Sequence, residues 1–123
     1  MKNSFHLAIL LATFSISFTA CKDDKCSDDP ERISVAVKNL DGSAAQLDIV
    51  QWIDLATNDT TNLTPTTSGV YILADDNSNI SGTATFRFDA YQGSFMVASE
   101  DYVLKEGECH IEKTSGKSTI TLD

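Results

Sequence analysis

The sequence is short of the residue types that most chemistry requires. It has 9 Lys and Arg against 18 Asp and Glu, a formal charge of −9. Binding a nucleic-acid backbone takes clustered basic side chains, and none are present. The same deficit removes any pull toward anionic lipid. Histidine is nearly missing, with 2 in the chain; beyond residue 20 only His110 remains. Cysteine numbers 3, at Cys21, Cys26 and Cys109. Separated cysteines with one neighbouring histidine do not make a zinc set, which takes four ligands in paired spacings. No Gly-x-Ser-x-Gly, His-Glu-x-x-His or phosphate-binding loop occurs. Beyond the first twenty residues no apolar run approaches the about 20 residues that cross a bilayer.

The start of the chain reads as a processing signal. Lys2 gives a basic start, His6 to Phe18 an apolar run, and Thr19 and Ala20 small residues at a cleavage point. That order is the order of a secretory signal. Phe18-Thr19-Ala20-Cys21 resembles the bacterial lipobox, with Phe18 standing where an aliphatic residue is usual. The resemblance implies cleavage before Cys21, with Cys21 as the lipidation site and acylated N-terminus. Lys22-Asp23-Asp24 is similar to the Bacteroidota-type lipoprotein export signal, which implies an outer-membrane lipoprotein displayed at the cell surface; a plain charged linker is the other reading. The expected organisation is a signal peptide over 1–20, an acylated tether over 21–31 and one domain over 32–123.

With Cys21 acylated, Cys26 and Cys109 remain. An even remainder in an oxidising compartment reads as one disulfide. Closing so long a loop stabilises by up to about 4.7 kcal/mol in the chain-entropy description. Two free thiols are the alternative.

From Arg32 the texture becomes that of strands. Ile33, Val35 and Val37 alternate with polar or small residues, and Asp41-Gly42 is a turn signal. Leu47 to Leu55 reads as a long strand with apolar groups on both faces; its density of β-branched residues and its missing cap argue against a helix. A short strand is expected around Thr60 to Leu63. Others follow at 70–73, 83–89, 95–99, 101–104, 109–112 and 118–122, separated by Gly, Asp and Asn. Seven or eight short strands at this spacing predict an all-β fold, a single antiparallel β-sandwich. Phe86, Phe88, Phe95, Ile53, Ile72 and Trp52 are the expected core.

Ser34 to Lys38, the Asp41-Gly42 turn, the second strand and Thr66-Thr67-Ser68-Gly69-Val70-Tyr71-Ile72-Leu73 resemble the prealbumin-like modules, also described as carboxypeptidase-regulatory-like or transthyretin-like. The usual Pro and Gly between residues 43 and 46 are missing. The resemblance implies a seven-stranded sandwich, non-enzymatic, that supports or attaches other components. An immunoglobulin-like sandwich is the other architecture to weigh.

Few residues offer chemistry. Cys109 and His110 are neighbours, and adjacent residues on a strand point to opposite faces, so they are expected not to pair as nucleophile and base; a disulfide cysteine and a surface imidazole are expected instead. Asp75, Asn77 and Asn79 have the alternate spacing that suits calcium, but Ile80 and Phe86 stand where a calcium loop needs Gly and Glu. A polar β-turn is the plainer reading, and no metal or other cofactor is expected. The acidic pairs Asp28-Asp29, Glu100-Asp101 and Glu106 with Glu108 come with no partner that suggests acid and base roles. Trp52, Tyr71, Tyr91 and Tyr102 are candidate ligand-facing aromatics, since ring faces stack on sugars, although single aromatics more often cap cores. Asp59-Thr60-Thr61 resembles a Bacteroidota-type O-glycosylation motif, with Thr60 as the acceptor.

The expectation is a non-catalytic, envelope-anchored binding or assembly-support module, its partners the membrane through the lipid and an envelope protein or glycan. A carbohydrate-binding accessory would expose Trp52 and a Tyr on one face. An enzyme or inhibitor would place His110 in a cleft. A pilus- or adhesin-type component would leave a long strand edge uncovered.

Overall fold

A computed structural model describes residues 31–123. The signal segment, Cys21, Cys26 and the Asp28-Asp29 pair lie outside the described residues. The described chain is all-β, with strands β1 (Arg32–Lys38), β2 (Ile49–Asp54), β3 (Thr60–Asn62), β4 (Val70–Asp75), β5 (Thr83–Gln92), β6 (Phe95–Glu106), β7 (Ile111–Ser115) and β8 (Thr119–Thr121). They form a three-stranded sheet, β4-β1-β8, and a five-stranded sheet, β3-β2-β5-β6-β7. Neighbours are antiparallel except β1 and β8, which run parallel.

Period-two patterning explains how the sheets share one core. On β1, Ile33, Val35 and Val37 are buried. On β5, Phe86, Phe88 and Ala90 turn inward, and on β6 Tyr102 and Leu104 do the same. Tyr71 of β4 meets Phe88 of β5 edge-on at 6.0 Å between ring centroids, a contact from one sheet to the other. Trp52 stacks on Phe86 at 4.7 Å within the larger sheet. Each such side chain stabilises by roughly 1.5–3 kcal/mol when removed from water. The Asp41-Gly42 turn forms as its residues predict: Gly42 takes a positive φ of 89°, and Asp41 accepts from both the N–H and the hydroxyl of Ser43.

Three of the six expected core residues are not in the core. Ile53 and Ile72 fall on outward faces of β2 and β4 and are half-buried. Phe95 is 76% exposed. For Phe95 the reason is strand length: β5 and β6 have 10 and 12 residues, while β1 and β4 have 7 and 6. The β5–β6 hairpin therefore extends beyond the smaller sheet, and among the described residues Phe95 at its tip stays exposed. The expected strands at 95–99 and 101–104 are one strand. The residue between them, Glu100, pairs with Phe88 of β5 in the continuous register, and its carboxylate accepts from Lys117 N–H at 3.1 Å. The last but one strand starts at Ile111 rather than Cys109.

Candidate functional site

Strand register gives the domain two poles. At one, Arg32 pairs with Asp75, Asp54 with Phe86 and Thr83 with Lys105. The chain enters the domain here, at Glu31. At the other, Ile49 pairs with Tyr91 and Gln92 with Phe95. The 10-residue β5 runs between them, a span of roughly 30 Å at about 3.3 Å per residue.

The near pole is organised by a residue whose role the sequence does not announce. Asp76 follows β4 directly, in the polar turn weighed as a calcium loop. Its Oδ2 accepts from Glu31 N–H at 2.8 Å and lies 2.6 Å from His110 Nδ1, and its Oδ1 accepts from Ile111 N–H at 3.1 Å. One carboxylate thus ties the start of β1 to the start of β7. The Glu31 N–H first, then the His110 and Ile111 bonds, hold Asp76 below the usual carboxylate range. The rest of the turn bonds to itself: Asp75 Oδ1 accepts from Asn77 N–H and Asp75 O from Ser78 N–H. Among the described residues no group of three His, Cys, Asp or Glu side chains is placed to hold a metal.

His110 is therefore not a surface imidazole. It is partly buried against Asp76, and its Nε2 is shut off from solvent. A general base needs its acceptor nitrogen within reach of a substrate proton; here one nitrogen faces the carboxylate and the other is covered. Cys109 and His110 lie in the bend before β7, so the alternation that separates strand neighbours does not govern them. Cys109 is not without a partner.

Several of the described acidic residues are engaged structurally. Asp101 pairs with Arg87 at 3.2 Å, Glu106 accepts from Gly82 N–H at 3.4 Å and Glu112 meets Lys105 at 3.5 Å. Of the candidate ligand-facing aromatics, Trp52, Tyr71 and Tyr102 are buried. They belong to the core, because each falls on the inward face of its strand. Tyr91 alone stays half-exposed, and Thr60 is exposed on the edge strand β3.

The far pole carries what the sequence reading missed. Leu40, Ile49, Phe95 and Met96 are the large apolar residues found exposed among the described residues, at 73%, 45%, 76% and 51%. All four lie at this end: Leu40 in the turn after β1, Ile49 opening β2 beside Tyr91, and Phe95 and Met96 on the overhanging hairpin. Side-chain and backbone bonds hold these loops together. Gln92 Nε2 donates to Gln46 O at 2.9 Å, and Asp48 N–H donates to Tyr91 O at 2.9 Å. The acidic side chains Asp41, Asp48 and Asp123 border the same end.

No family model matches the chain, and neither a curated protein nor a solved structure matches it.

Proposed function

We propose that the protein is an exported bacterial lipoprotein, lipid-anchored through Cys21 to the outer membrane and displayed at the cell surface. Its domain acts without catalysis, as a binding or assembly-support module. The observation that carries this reading is the separation of poles: the chain enters at one end, and the exposed large apolar side chains gather at the other. Scattered single apolar residues are ordinary on a surface, but a cluster at one end marks an interaction site. The sealed His110 supports a non-catalytic role.

The prealbumin-like architecture is preferred over the immunoglobulin-like one. In the latter the first two strands share a sheet, whereas β1 and β2 lie in different sheets here. A Cys26–Cys109 disulfide is part of the same proposal. What supports it is that Glu31, five residues after Cys26, is bonded to the carboxylate that also holds His110 and Ile111, the neighbours of Cys109. Thr60 is a candidate O-glycan acceptor by its exposure. The sugar-binding alternative loses its support with the burial of Trp52, Tyr71 and Tyr102, and a protein partner is favoured over a glycan.

The test uses the intact lipoprotein in its native envelope. Cys21→Ala should abolish lipid labelling and release the protein from the membrane. Phe95→Ser with Met96→Ser should leave anchoring and folding intact and abolish co-purification of the partner. Retained lipid labelling in the first variant refutes the anchor. Undiminished co-purification in the second refutes the far-pole site.

A further inference from the structure

Strand register puts three far-pole side chains in one row. Ile49 of β2 stands opposite Tyr91 of β5, and Tyr91 stands opposite Met96 of β6. Directly opposed residues share a face of the sheet. The neighbours Val50 and Ala90 are buried on the inward face, so this row faces outward. Ile49 and Met96 are exposed and Tyr91 is half-exposed. Phe95 on the same hairpin and Leu40 in the turn after β1 extend the apolar surface. The hairpin tip is pinned to the loop before β2, because Asp48 Oδ2 accepts from Gly93 N–H.

The border of this surface is acidic. Asp48 precedes Ile49, Asp41 follows Leu40, and Asp123 follows Leu122, whose N–H donates to Lys38 O. The hydroxyl and N–H of Ser43 hold the Asp41 carboxyl below its usual range, so it carries its charge at neutral pH. Against these three stands Lys38, exposed at the end of β1. Arg87 lies two rows further along the same face and is tied to Asp101.

That border decides between occupants. A second copy joined here by a two-fold contact would set one acidic border against the other, and like charges face to face are unfavourable. An anionic lipid surface is repelled for the same reason. A protein face with an apolar centre and Lys or Arg at its rim answers both parts of the surface. The apolar side chains lose water at the centre, and the charges meet at the wet rim. Rim charges act mainly on the association rate and its salt dependence, while the buried centre sets dissociation.

We infer that the far-pole surface docks on a basic-rimmed apolar face of another protein, with Phe95 and Met96 at the centre and Asp41, Asp48 and Asp123 toward its cations. The inference rests on the far-pole reading above and adds the chemistry of the partner.

The test uses the mature chain, residues 21–123, carrying Cys21→Ala, so that neither lipid nor detergent competes for the probe. The probe is the peptide Lys-Leu-Leu-Lys-Ala-Leu-Leu-Lys, and the control peptide has Glu in place of each Lys. Amide chemical shifts are followed in titrations at about 0.1 M and about 1 M NaCl, between which the screening length falls from about 10 to about 3 Å. The Lys peptide should move the amides of Leu40, Ile49, Tyr91, Phe95 and Met96 and leave Thr57 at the near pole in place. At the lower salt it should bind about tenfold more tightly than the Glu peptide, and at the higher salt the two should converge. Asp41→Asn with Asp123→Asn should shrink the preference for Lys, and Phe95→Ser with Met96→Ser should abolish binding of both peptides. Equal binding of the two peptides at the far pole overturns this inference and leaves the far-pole site standing. Binding of neither, or Lys-peptide shifts spread over the whole acidic surface, also overturns it; co-purification from the envelope then still judges the site itself. Concentration-dependent shifts of the same amides without peptide would make a second copy the occupant, and shifts with phosphatidylglycerol vesicles a lipid surface; either result overturns the inference.

Discussion

Tyr102 shows how single residues lock the domain. Its ring is fully buried, and its hydroxyl donates to Lys117 O at 2.6 Å. Burial, with the nearby Glu100 carboxylate adding to it, pushes the phenol far above its ordinary value, so it stays neutral and keeps its proton for that bond. Tyr102→Phe should cost about 1 kcal/mol, the worth of one such hydrogen bond, measured by urea unfolding. Gly116 lies against the same ring with a φ of 119°, and a Cβ there would strike it. Asp76 adds stability that acid removes. Its carboxylate is held below the usual range, so its contribution is complete above about pH 4, the ordinary aspartate value, and is lost as pH falls through the lower folded value. Asp76→Asn should lower Tm near pH 7, with the gap to the unsubstituted protein closing as pH drops below about 4. A gap that does not change with pH would contradict this.

At the scale of elements, the β5–β6 hairpin carries both the core and the exposed tip. Phe88→Ala should cost about 3–5 kcal/mol, because the ring fills the centre between the sheets. Phe95→Ala on the same hairpin should change stability by less than about 0.5 kcal/mol. Guanidinium unfolding of both reads the contrast. The alternation in Thr83 to Asp89 made Phe86 and Phe88 legible as core, since period two fixes which residues share a face. It did not make Phe95 legible. Alternation says which way a side chain points but not whether a second sheet extends far enough to cover it. Trp52, Tyr71 and Tyr102 misled in the opposite sense: ring chemistry suggests stacking on sugar, while strand register turns all three inward. Asp76 was hidden for a third reason. Its partners at residues 31, 110 and 111 are remote in sequence, and only the folded near pole brings them together. The strands themselves were legible almost throughout, because Gly, Asp and Asn punctuate them; the break expected at Glu100 failed because Glu100 stays paired with Phe88 along the β5–β6 ladder.

At the scale of the whole molecule, the proposed anchor and clamp at the near pole would be matched by a presenting surface at the far pole. The proposed Cys26–Cys109 bridge and the Asp76 bonds would fix the tether to the near pole, so that the domain is held in one orientation rather than swinging from its first strand. Reduction, or Cys26→Ser, should then lower Tm and speed exchange at the Glu31 and Ile111 amides; unchanged exchange would contradict the Cys26–Cys109 bridge. The far pole would project from the membrane, with Leu40, Ile49, Phe95 and Met96 at its tip. The most direct measurement is site-specific photo-crosslinking of the anchored protein in its own envelope, with a photoreactive residue at position 95 or, as the near-pole control, at position 57. The account predicts one discrete protein adduct from position 95 and none from position 57. Adducts from position 57 alone, or the same adducts from both, would contradict it.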